Sequence, residues 1–234
     1  MRITNLWRRA VAQGRHYYKN NLTMRKYILF FGGLVLITQA ISAQLGDIDP
    51  AYLNTLKGRT AKIVDALEIT DSAKWHRVQE IIIVQYYELS KIDDSRDAKL
   101  AKAKNLEGEE KEQAKNQIQM ETDASLYKLH AEYLAKLMSE LTLEQVDNVK
   151  EGMTYGVLER TYNAYLDLLL NLTGEQKRFI FKNLVEAREL AMDAGSSKAK
   201  HAWFGKYKGR INNYLSKEGI DMKKAEEDQK AKQD

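Results

Sequence analysis

From residue 50 onward, apolar side chains recur every three or four positions and rarely alternate, the period of helices that bury one face. The first stripe is Leu53, Leu56, Thr60, Ile63 and Leu67. Asp49-Pro50 opens it: aspartate accepts hydrogen bonds from the free amides of a first turn, and proline at the first helical position gives up no bond. A second stripe runs through Trp75, Val78, Ile82, Tyr86, Leu89 and Ile92. The pattern then fades into "DDSRDAKLAKAKNLEGEEKEQAKNQ" and returns with Ile118, Leu126, Leu129, Tyr133 and Leu137. Two stripes separated by a charged stretch, with a turn at Asn105 to Gly108, predict a long antiparallel helical hairpin over about residues 71–140. Its tip is a solvated coiled-coil arm held by charge pairs one turn apart.

Helix starts recur in one form. "ITDSAK" begins at Ile69, "LTLEQ" at Leu141 and "LTGEQ" at Leu172. In the last two, Thr142 and Thr173 are followed three residues on by Gln145 and Gln176, the spacing of a capping box in which the two residues satisfy each other's exposed donors. The boxes lie 31 residues apart, a spacing compatible with a repeated helical unit. Pro50 is the only proline. The chain therefore reads as all-α, a helical bundle with a protruding hairpin, in one domain over 44–219, followed by a polar, frayed tail over 220–234.

The last part of the chain, from Met153, is rich in rings. Tyr155, Tyr162, Tyr165, Phe179, Phe181, Trp203, Phe204, Tyr207 and Tyr214 fall within it. Gly195 in "AMDAGSS" suits a left-handed helix end, and Ser196 or Ser197 can cap the helix that follows. That helix, "HAWFGKYKGRINNYL", has an unusual wheel. At about 100° per residue, Trp203, Tyr214, Tyr207, Ile211, Phe204 and Leu215 cover an arc of about 120°, with Arg210 beside the aromatic edge. Gly205 and Gly209 lie on the far side, where each costs about 1 kcal/mol against alanine. Either a second helix approaches closely there, which is the favoured reading, or the glycines leave room for a ligand.

Charge and targeting narrow the setting. Met24-Arg25-Lys26, the apolar run "YILFFGGLVLI" and "TQAISA" have the order of a secretory leader cut after Ala43, with Met24 as the start and an N-terminal extension before it. The run is shorter than the roughly 20 residues of a membrane span. Gln44 follows the cut and the chain has no cysteine, so neither a lipid anchor nor a disulfide framework is available. A periplasmic or secreted protein is expected. The formal charge of +4 comes from the leader. Residues 1–43 hold seven Lys/Arg and no Asp/Glu, which leaves 30 basic against 33 acidic residues beyond them, a charge of −3. Such a chain has no global field for a polyanion, and nucleic acid is not an expected partner.

Candidate chemistry concentrates on the aromatic helix. Core packing at the edge of a helix bundle is the favoured account of its rings. As a ligand face, Trp203 and Tyr207 would stack on sugar rings, while Arg210 and Asn213 would fix hydroxyls or a uronate carboxylate. His201 joins them, as does Tyr155, flanked by Gly152 and Gly156 in "EGMTYGVLERTY". An apolar surface with a few placed polar groups is the general form of small-ligand sites. No catalytic residue, metal site or cofactor is expected: no two of His76, His130 and His201 have metal-ligand spacing, and no phosphate loop, dinucleotide fingerprint or nucleophile elbow occurs. Glu186, Glu189 and Asp193 share a helix face, which reads as a solvated acidic surface.

With these residues in view, "GMTYGVLERTY" and "AMDAGSSKAKHAWFGKYKGRINNYLS", together with the "ITD" and "LTLEQ" starts, resemble the bacterial family catalogued as domain of unknown function 3826. The resemblance runs from about Tyr52 to Leu215. It implies an exported, sugar-binding protein that accompanies polysaccharide-degrading systems, and it supplies no catalytic residues. The leading expectation is a non-enzymatic carbohydrate-binding accessory protein whose partner is an oligosaccharide or polysaccharide. Two alternatives stand beside it. "LTLEQ" and "LTGEQ" are similar to the helix starts of the Spy/CpxP periplasmic chaperones, and the many carboxylates leave a glycan-active enzyme open.

Overall fold

A computed structural model describes residues 45–231. The extension and leader predicted over 1–43 lie outside the described residues. Eight helices lie wholly within them and no strand does: α1 Pro50–Asp65, α2 Ser72–Ala103, α3 Gly108–Glu140, α4 Leu143–Met153, α5 Val157–Leu168, α6 Gly174–Met192, α7 Ser197–Lys217 and α8 Met222–Lys230. The all-α class read from the sequence is the observed one.

The starts are built as the side chains dictate. Asp49 Oδ1 accepts from the amides of Ala51 and Tyr52, both at 3.0 Å, and Asp71 Oδ1 does the same for Ala73 and Lys74 at the head of α2. Both capping boxes form. The amide of Gln145 donates to Thr142 Oγ1 at 3.2 Å while Gln145 Oε1 accepts from the Thr142 amide, and Thr173 with Gln176 repeats the arrangement. The helices they open have 11 and 19 residues, so the shared motif marks two starts and not two copies of one unit. Ser196 caps α7 by accepting from the Ala199 amide at 3.1 Å.

Two cores organise the chain. The first gathers α1, α2, the base of α3 and α4 around Leu56, Ile82, Ile83, Leu137 and Met153. Here α2 is covered on every side from Ile81 to Tyr86, because α1, α3 and Met192 of α6 all pack on it. The second core joins α5, α6 and α7 around Ile180, Leu184, Phe204, Ile211 and Leu215. Residues 220–234 were expected to fray. Instead, over the described part to residue 231, Asp221 caps α8 and Ile220, Met222 and Ala225 close the second core, so residues 220–231 are anchored by their few apolar residues. Away from the first core the hairpin formed by α2 and α3 keeps only Leu89, Ala103, Ile118 and Thr122 buried. Its surface pairs include Lys99 with Glu121 at 2.7 Å across the arm.

Gly195 is a correction. The described glycines with positive φ are Gly108, Gly156 and Gly219, so Gly195 is not a left-handed cap. A Cβ at this position would overlap the carboxylate of Asp93 on α2. Close approach of the loop to the arm, which no local pattern announces, is what demands glycine there.

Candidate functional site

Helix α7 carries six Lys/Arg from Lys198 to Lys217 and no acidic residue, so it is cationic on a chain that is mildly acidic beyond residue 43. Its buried arc consists of Phe204, Tyr207, Ile211 and Leu215, and these lock it against α6. Tyr207 is 6% exposed. Burial raises the pKa of its hydroxyl, and so does the neighbouring Glu186 carboxylate. The expected stacking role of Tyr207 is therefore corrected: its ring is core, with no face open to a guest. Trp203 is half-buried at the edge of the same core, and the Lys206 ammonium sits 5.0 Å from its ring centroid.

Beside that edge lies a shallow groove of about 560 Å³ lined by Phe179, Lys206, Gly209, Arg210, Asn213, Tyr214 and Lys217. Phe179 of α6 and Tyr214 of α7 stack at 3.8 Å between centroids and 21° between planes, forming an apolar wall. Lys206, Arg210, Asn213 and Lys217 recur at helical spacing and place three cations and an amide along one flank. No carboxylate lines the groove. Arg210 reaches Glu186 at 3.5 Å, an exposed pair of the weak kind that a ligand anion can displace. Gly205 and Gly209 have nothing within 4 Å of a Cβ placed on them. The favoured reading of these glycines, a second helix packed closely against them, is thus overturned. Their flank is open.

The structure divides the candidate residues. Arg210 and Asn213 share the groove, with Trp203 at the buried edge of the same flank. His201 lies about 180° around the helix from Arg210 and meets Tyr155, the two rings stacking at 6.1 Å. Tyr155 sits at φ 61°, left-handed for a bulky residue, followed by Gly156 at φ 65°. This two-residue kink turns α4 into α5. Arg160 supports it by donating from Nη2 to the Tyr155 carbonyl at 2.8 Å. Asn212 accepts from the Tyr165 hydroxyl at 2.6 Å and is committed to the fold. Sequence reasoning missed Lys206, Lys217 and Phe179 as groove residues. The spacing of the lysines with Arg210 could have found them, whereas Phe179 reaches the site only through the packing of α6 on α7.

The supposed acidic face is also corrected. Glu186 is exposed, but Glu189 accepts from Lys150 at 2.8 Å and Asp193 lies 2.7 Å from His130 Nδ1. Arg188 is buried among Asp147 at 2.8 Å, Glu151 at 3.0 Å and Glu189 at 3.4 Å. Asp193 raises the pKa of His130 through this hydrogen bond, and burial raises that of Glu151 against the pull of Arg188. Lys200 is 4% exposed and donates to the Ala191 and Met192 carbonyls at 3.0 and 2.9 Å, capping the end of α6. Burial lowers its pKa to about 8. These charges hold α3, α4, α6 and α7 together. Among the described residues no three His, Asp or Glu are placed to hold a metal, and no helix is long and apolar enough to cross a membrane.

A family model described as a protein of unknown function, DUF3826, matches residues 53–233. The match takes in the second core, most of the first, the hairpin and all of α7. Among curated proteins, none matches the chain.

Proposed function

This chain belongs to the DUF3826 family of proteins of unknown function, and from the geometry of α7 we propose that it is an exported, non-enzymatic carbohydrate-binding protein, an accessory to polysaccharide utilisation whose groove takes an acidic oligosaccharide. The observation that carries this reading is the open glycine flank. Two mid-helix glycines are kept at a cost in helix stability, and no neighbouring helix uses the space they leave. Beside Gly209 stand the Phe179–Tyr214 wall and a row of donors. A sugar ring offers an apolar C–H face to the wall and oxygens to the donors. A donor set of Lys206, Arg210 and Lys217 with no carboxylate favours a sugar that itself carries one. Arginine is suited to this because its planar fork can hold a carboxylate through two parallel bonds.

Calorimetric titration with oligogalacturonides, and with neutral xylo- and cello-oligosaccharides of equal length, tests the reading. Binding is expected for the acidic series, weakening as salt rises. Arg210→Ala should lose most of it, and so should Gly209→Leu, whose side chain fills open space without disturbing the core. Absence of binding by the wild type to every oligosaccharide would overturn carbohydrate recognition. Release of reducing ends would overturn its non-enzymatic character.

A further inference from the structure

Helix α3 carries two apolar lines. One faces α2 and holds Ile118, Thr122, Tyr133 and Leu137 buried. The other is Met120, Ala124, Tyr127, Ala131, Leu134 and Met138, in unbroken four-three-four-three-four spacing. Among the described residues little covers this second line. Met120 is 66% exposed, Tyr127 80% and Met138 51%, both alanines are exposed, and only Leu134 leans on the first core. An arm that needed only to be solvated would carry charge here, as it does elsewhere on its surface. Four-three spacing is that of a coiled-coil seam.

We infer that this line is the interface of a homodimer, in which α3 packs antiparallel against α3 of a second copy. The argument rests on the order of side-chain sizes. A two-fold axis crossing α3 at the level of Leu129 sets Tyr127 against Ala131 of the second copy, Leu134 against Ala124, and Met120 against Met138. Every central layer then joins one large and one small residue, the arrangement in which facing helices interdigitate. The outer layers join flexible methionines, which adapt to irregular gaps. A parallel, in-register pair would instead put Tyr127 on Tyr127 and leave Ala124 and Ala131 facing their own copies across gaps. The two-fold arrangement also closes on itself, since each surface serves as its own partner. Glu121, Asp123, Lys128 and Glu132 flank the line as a polar rim. Lys128 approaches its copy near the axis and keeps Glu132 within 4.0 Å in its own chain, which tempers that repulsion. The seam is about 27 Å long by helical rise. One such contact buries less than the ~800 Å² per partner of a standard interface, so the dimer should be weak and dependent on concentration.

Sedimentation equilibrium of the chain from residue 44 onward, between about 5 and 500 µM, provides the first test. The wild type should pass from monomer to dimer, and Tyr127→Glu should remain monomeric with unchanged helicity. Ala131→Tyr alone should also lose the dimer, because tyrosine then meets tyrosine. Adding Tyr127→Ala to it exchanges large for small in the same layer and should restore association. Orientation is read by cross-linking, because the chain has no cysteine. A mixture of Met120→Cys and Met138→Cys chains should form an intermolecular disulfide that neither chain forms alone. A wild type that is monomeric at every concentration would overturn the inference. So would ready cross-linking of Met120→Cys with itself, which requires parallel helices.

Discussion

Replacing Gly205 and Gly209 together with alanine should make the protein more stable. Both lie within α7, neither has positive φ, and a Cβ on either has nothing within 4 Å. The substitution therefore reduces to helix propensity, about 0.8–1.0 kcal/mol per site. Two methyls facing solvent share no packed neighbour, so their effects should add to about 1.6–2 kcal/mol. For a chain of this size that corresponds to a rise in Tm of about 3–8 °C, measurable by circular dichroism or by the urea midpoint at unchanged slope. Two glycines elsewhere are the controls. A Cβ at Gly152 would lie 3.0 Å from Ile63 Cγ2 in the first core, and one at Gly195 would overlap Asp93. Alanine at Gly195 should destabilise, and alanine at Gly152 should gain less than at the open sites. If the Gly205/Gly209 double variant is instead less stable than wild type, the flank is not open, and the central argument for a binding groove on α7 fails with it.

Two further predictions concern the charges between the cores. Arg188→Met strands the half-buried Glu151, whose Oε2 already has no hydrogen-bond partner, and should cost about 3 kcal/mol by urea denaturation. Adding Glu151→Leu should recover much of that loss, and a double variant no better than the single would refute the assignment. His130 has a pKa raised above its ordinary value, chiefly by Asp193, so folding takes up a proton there. Its contribution is complete below the unfolded value near 6.5 and is lost as pH rises through the higher folded value. The drop in stability on going from pH 6 to above the folded value should shrink in His130→Gln, and an unchanged pH slope would count against the His130–Asp193 bond.

Much of the fold was legible because it is local. Asp49, Asp71, Thr142, Thr173 and Ser196 each satisfy amides within three residues of themselves, so their positions along the chain were enough to place five helix starts. The hairpin was equally plain, because its stripes and its turn are continuous in sequence. The tail from Ile220 onward was misread because its three apolar contacts are sparse, and their value depends on a second core that α5 and α6 complete from earlier in the chain.

The site was legible only in part. Spacing on one helix placed Arg210 and Asn213 together and put Trp203 next to them. It could not tell that Tyr207 would be buried by α6 while Tyr214, about 20° away on the wheel, would help to line a groove. Nor could it tell an open flank from a packed one at Gly205 and Gly209, since a missing side chain looks the same from within the helix. Helical period and capping are fixed by neighbours a few bonds away, and the sequence by itself determined them here. Which face is covered, which carboxylate meets which base and which glycine is crowded depend on helices brought together from distant segments. Only the tertiary structure decided those.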